Sequence, residues 1–67
     1  MKVAIEYVYN HQPGLFVHSL WSDEIYVPDY MSDDDITAWY EERHSGVHHK
    51  GISVKYIKHL PDPINNL

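Results

Sequence analysis

One stretch of this chain reads as a helix and the segments on either side of it alternate, and that contrast limits the fold more than any total does. In "YMSDDDITAWYEERHSG", residues 30 to 46, Ser32 is placed to act as N-cap. Its hydroxyl can accept the backbone N–H of Asp35 while the Asp35 carboxylate reaches back, a shortened capping box. Met31 and Ile36 hold the N′ and N4 positions of a hydrophobic staple. Ile36, Trp39, Tyr40 and Arg43 then fall at i, i+3, i+4 and i+7, one stripe of an amphipathic helix. Ser45-Gly46 supplies the stop, with Gly46 expected in the left-handed conformation at C′.

The flanks have period two. In residues 3 to 9, "VAIEYVY", Val3, Ile5, Tyr7 and Tyr9 share one face of a strand while Ala4, Glu6 and Val8 share the other. "HQPG" breaks the pattern, and Pro13-Gly14 suits a type II turn. A second strand is expected over residues 15 to 21, "LFVHSLW", and after a weaker "SD" turn signal "EIYV" reads as a short third strand in preference to a continuation of the second after a bulge, ended in either case by Pro28. After the helix and a connector, residues 52 to 60, "ISVKYIKHL", alternate again, with Ile52, Val54, Tyr56 and Lys58 opposite Ser53, Lys55, Ile57 and His59. "PDPINNL" has two prolines and no period, so residues 61 to 67 are expected as a loose tail. The expectation is one α+β domain over residues 1 to 60, a small antiparallel sheet of three to four strands with one helix packed on one face, β-β-(β)-α-β.

A chain of 67 residues buries little core. With no cysteine it has no disulfide or thiolate zinc site to compensate, which leaves oligomerisation or a partner as the usual aids. "MKVAIEYVYN" lacks the apolar run of a signal peptide or membrane span, and the expectation is an intracellular protein of the cytoplasm. Nine aromatics (six Tyr, two Trp and one Phe) exceed what one helix on a small sheet covers, so some should face outward as interface anchors. Tyr26 and Tyr30, on either side of Pro28, are the expected ones.

Charge is unevenly spread. The net is −5, and eight of the ten acids lie between Asp23 and Glu42: Asp23, Glu24, Asp29, Asp33, Asp34, Asp35, Glu41 and Glu42. From Arg43 to His59 the sign reverses, with Arg43, Lys50, Lys55 and Lys58 and most of the histidines. Three carboxylates at a helix start already satisfy the positive end of the helix dipole, each by roughly 0.3–1 kcal/mol, and need no ligand to explain them. Joined with the other acids they form the sharper alternative, an acidic face that a basic groove built for phosphates would accept. Consecutive helical carboxylates point in different directions and do not converge on a divalent ion.

Other chemistries find less support. His44, His48 and His49 could hold a metal only if a helix ran through Gly46, and otherwise read as solvated connector histidines. No nucleophile elbow, phosphate loop, H-E-x-x-H motif or cysteine nucleophile is present, so an enzyme is not expected and no cofactor is implied. Direct nucleic-acid binding through Lys50, Lys55, Lys58 and Tyr56 is opposed by the overall charge.

In size, acidity, lack of cysteine and element order the chain resembles the small inhibitors encoded by phages and other mobile elements, of which anti-CRISPR proteins are one group. The resemblance extends over the whole chain but matches no family motif, so no functional residue carries over. It implies a target that is a nucleic-acid-handling machine of the host, such as a CRISPR effector or an RNA polymerase, met in the host cytoplasm. The leading expectation is a non-enzymatic module that occludes a site on a larger partner through Asp23, Glu24, Tyr26, Asp29, Tyr30, Asp33, Asp34, Glu41 and Glu42. A His-based metal- or ligand-binding domain and a homodimeric accessory protein are the alternatives.

Overall fold

The computed structural model describes residues 1–10, 19–47 and 50–61, in the order β1 (Lys2–Tyr9), β2 (Trp21–Tyr26), α1 (Asp33–Arg43) and β3 (Ile52–Leu60). The three strands form one antiparallel sheet in the order β2-β1-β3, with α1 on one face, an α+β arrangement. β1 is central because it is the strand most able to bury both of its neighbours' ladders: Val3 and Ile5 are wholly buried and even the outward Ala4 is nearly so. Register places Val3 against Ile25 and His59, and Ile5 against Asp23 and Ile57. These rows face the helix. On the other face the rows run Tyr26-Lys2-Leu60, Glu24-Ala4-Lys58 and Ser22-Glu6-Tyr56.

The second strand departs from expectation. It begins at Trp21 and runs through Ser22-Asp23, which was expected to be a turn, so that "EIY" is its second half and no separate third strand exists among the described residues. Ser19 and Leu20 precede the strand; residues 15 to 18 of the expected second strand and the turn expected at Pro13-Gly14 lie outside the described residues, as do residues 62 to 67. Tertiary pairing decides this segment: β1 offers a partner for each residue from Trp21 to Tyr26, and that ladder outweighs the weak preference of Ser-Asp for a turn.

In β3 the register shifts opposite Glu6 and Tyr7. Tyr56 pairs with Glu6 and Val54 with Tyr7, which leaves Lys55 as the extra residue of a β-bulge. The bulge changes the parity expected from simple alternation. Ile57 joins Ile52 and Val54 on the helix side, and Tyr56 and Lys58 stay together on the outer face.

The helix start is the one expected. Asp35 N–H donates to Ser32 Oγ (3.1 Å) and Ser32 N–H donates to Asp35 Oδ2 (3.2 Å), so both halves of the capping box form. Ile36 and Tyr40 are the buried members of α1, and Met31 packs on the same cluster with Val3, Ile5, Val27 and Ile52. The stop differs. His44 is the C-cap, Gly46 is not in the left-handed region, and among the described residues the glycine with positive φ (74°) is Gly51 at the entry to β3. The N–H of Gly51 donates to Val47 O (2.7 Å), closing the turn that brings the chain back to the sheet.

Candidate functional site

Three rows of α1 side chains, each spaced by one turn, take different surroundings. The row Ile36 and Tyr40 enters the core. The row Asp33, Thr37 and Glu41 meets β3: Asp33 Oδ1 accepts from His59 Nε2 (2.6 Å), and Glu41 Oε2 accepts the Val54 N–H (2.9 Å) at the bulge, where a ladder bond is interrupted. The row Asp35 and Trp39 faces the loop that follows β2. There the two side chains line an open groove of about 410 Å³ together with Tyr26, Val27, Pro28, Tyr30 and Met31.

The groove wall is held in place from behind. Val27 is buried, its N–H donates to Met1 O (2.9 Å), and the amino group of Met1 donates to Val27 O (2.7 Å) and to Asp29 Oδ1 (2.7 Å). That ammonium group, by hydrogen bond and then by charge, lowers the Asp29 carboxyl below its ordinary value. Met31 N–H donates to Pro28 O (3.2 Å), a tight turn that throws Tyr30 outward. Tyr30 is 85% exposed and Tyr26 64% exposed, so most of each side chain is open to solvent. Trp39, 38% exposed, forms the opposite wall. Aromatic area left open beside a fixed backbone is what an interface anchor requires.

The remaining acids do not assemble into one face. Asp23 points to the helix side and accepts from the Tyr40 hydroxyl (2.8 Å). Glu24 lies on the outer face with Lys2 (3.4 Å). Asp33 and Glu41 are engaged by β3, on the flank of α1 away from the groove. The carboxylates of Asp34 and Glu42 have no ion pair or hydrogen bond among the described residues, and both are exposed. The structure thus brings Tyr26 and Tyr30 together with each other, with Met31 and Trp39, which the sequence pattern places in the staple and the core stripe, and with Asp35, which it places at the cap and in the acidic block. The available signal was the i, i+4 spacing of Asp35 and Trp39, which sets a carboxylate and an indole on one helix row.

A second cluster surrounds the far end of α1. Tyr7, Tyr9, Tyr40 and Trp21 meet in edge and tilted contacts with ring centroids 5.7 Å apart, and His44 lies 4.4 Å from Tyr40. His44 Nδ1 is 2.9 Å from Tyr40 O, and since a carbonyl only accepts, that nitrogen carries the proton. Burial, then the bond to the Asp23 carboxylate, raises the Tyr40 hydroxyl well above its ordinary pKa. Burial, then the Tyr9 hydroxyl, raises Tyr7. These contacts use the polar atoms of the cluster internally, as a packed structural unit does. Among the described residues no group of three or more His, Asp or Glu side chains is placed to hold a metal ion; His48 and His49 lie outside them.

Among the described residues the chain is an α+β domain with one helix on a three-stranded sheet and an open groove lined by three aromatic side chains. No family model, no curated protein and no solved structure matches the chain. Among the described residues no helix is long and apolar enough to cross a membrane.

Proposed function

We propose that this chain is a non-enzymatic protein-binding module that docks on a larger partner and occludes a site there, as an inhibitor or modulator does. The observation that carries this reading is the groove between Tyr26, Tyr30 and Trp39, an apolar surface with preformed walls and a carboxylate at its edge. Tyr and Trp dominate the affinity of protein interfaces when they are rigid and partly desolvated. With a net charge of −5, a basic partner would be favoured and steered, at a rate that falls as salt rises. Surfaces of that sign belong to nucleic-acid-handling machines, and this is the partner class we propose, with phage host-modulating and anti-CRISPR proteins as the nearest functional analogy.

Capture from a bacterial lysate by immobilised chain tests the reading when wild type, Tyr30→Ala and Tyr56→Ala are run side by side. Tyr56 is 59% exposed but lies on β3, at the opposite edge of the sheet from β2, and lines no part of the groove, so it serves as the control. The expected outcome is a partner retained by wild type and Tyr56→Ala and lost with Tyr30→Ala. Equal capture by all three would remove the groove from the interface.

A further inference from the structure

We infer that the groove accepts an arginine side chain of the partner, with the guanidinium laid against the rings of Tyr30 and Trp39 and its N–H groups turned to Asp35. This deepens the docking proposal above and rests on it. Three features select the ligand.

The first is the lining, which combines three aromatic rings with one carboxylate. Ring faces carry the negative side of the aromatic quadrupole and attract cations over them. The chain already uses two of these rings in this way. Arg43 lies 5.1 Å from the centroid of Trp39 and Lys2 lies 5.9 Å from that of Tyr26, yet neither cation is among the residues lining the groove.

The second is the charge at the groove's edge. The start of α1 contributes about half a positive charge, which alone would repel a guanidinium. Three carboxylates stand on that turn, and among the described residues only Asp33 meets a side chain of another element, the His59 ring. The balance at Asp34 and Asp35 is therefore negative. Asp35 gives one oxygen to the Ser32 N–H and keeps acceptor capacity on the other for a charged donor.

The third is the choice between cations and apolar anchors. An ammonium is compact and strongly hydrated, whereas a guanidinium is planar, weakly hydrated and able to stack while it hydrogen-bonds a carboxylate. An apolar side chain would cover Asp35 without satisfying it, and desolvating an unpaired carboxylate is costly. The volume, about 410 Å³, lies near the small end of ligand pockets, suited to one side chain and part of its backbone.

The test uses the full chain labelled with nitrogen-15 and short blocked peptides Gly-Ser-Xaa-Ser-Gly in which Xaa is arginine, its neutral isostere citrulline, or norleucine. The arginine peptide should shift the Trp39 indole and the amides of residues 30 to 35, with citrulline and norleucine binding about tenfold more weakly, the value of one cation–π contact with its charge-assisted hydrogen bond. Tyr30→Ala should weaken the arginine peptide to a similar degree. So should Asp35→Asn, which keeps an amide oxygen for the Ser32 N–H while removing the charge. Equal binding of citrulline or norleucine, shifts scattered over the acids of β2 and α1, or no shift at millimolar peptide would each overturn the arginine assignment. Loss of partner capture by Tyr30→Ala does not depend on arginine. If capture is lost while the arginine peptide fails, docking stands and the arginine assignment falls; if the peptide binds but capture is untouched by Tyr30→Ala, the docking proposal falls and takes the partner's arginine with it.

Discussion

Tyr40 shows how one residue joins the helix to the sheet. Its ring is only 3% exposed, and its hydroxyl donates to Asp23, a carboxylate on the helix side of β2 that has no cationic partner among the described residues. Tyr40→Phe leaves that carboxylate without its donor, and the expected cost is about 1–3 kcal/mol, read as a lower urea midpoint at neutral pH. The same contact sets an alkaline limit. In the unfolded chain a tyrosine ionises near about pH 10, whereas in the fold burial and Asp23 hold the Tyr40 proton to higher pH. Stability from this residue is therefore complete below about pH 10 and is lost as pH rises toward the folded value, because only the unfolded state gives up the proton. Wild type should lose urea resistance steeply from about pH 9.5 to 11, and Tyr40→Phe less steeply, with Tyr7 supplying what remains. Identical slopes would show that Asp23 and Tyr40 are not linked in this way. None of this was visible from the residue types, since Asp23 reads as a turn residue until the register of β2 is known.

At the scale of elements, what was legible in the sequence was whatever is decided within a few residues. The capping box at Ser32 and Asp35 needs only one helical turn, and the alternation of β1 needs only its own side chains, so both follow from local rules. The start of β2, the bulge at Lys55 and the anchoring of Val54 N–H by Glu41 depend on contacts between distant segments, and no period in the sequence carries them. The groove falls between these cases: Tyr26 and Tyr30 were legible as surplus aromatics, but Trp39 was hidden in a stripe that assigned it to the core. The two glycines after α1 give a sharp test of which turn closes the helix-to-strand connection. At Gly51, with φ of 74°, an added Cβ would lie 3.3 Å from His44 O and in a conformation that side chains disfavour. Gly51→Ala should destabilise by about 1 kcal/mol or more, while Gly46→Ala, with nothing within 4 Å of the added carbon, should be neutral or slightly stabilising through the unfolded state. Thermal melts of the two variants side by side decide this, and the reverse order would return the stop signal to Gly46.

For the molecule as a whole, the described residues cover the sheet on one face only, and this separates what folds it from what it presents. Among the described residues the buried hydrophobic set is Val3, Ala4, Ile5, Val27, Ile36, Tyr40 and Ile52, of which α1 supplies two. On the outer face Lys2 with Glu24 (3.4 Å) and Lys58 with Glu6 (3.5 Å) are exposed pairs, each contributing at most about 1 kcal/mol and less in salt. Stability is thus concentrated in a few apolar side chains. Ile36 is the most exacting of them, since it is fully buried and is one of the two buried residues of α1. Truncating it removes the transfer energy of its side chain and opens a cavity beneath α1, a loss of about 2–5 kcal/mol. A domain this short has a net stability of the same order, so Ile36→Ala should be largely unfolded at 37 °C by circular dichroism. Tyr30→Ala should behave in the opposite way. Its ring is 85% exposed, so the melting temperature should stay within a few degrees of wild type while partner capture is lost. A Tyr30→Ala variant that melted like Ile36→Ala would mean that the groove wall is part of the core, and binding and folding could no longer be assigned to different side chains.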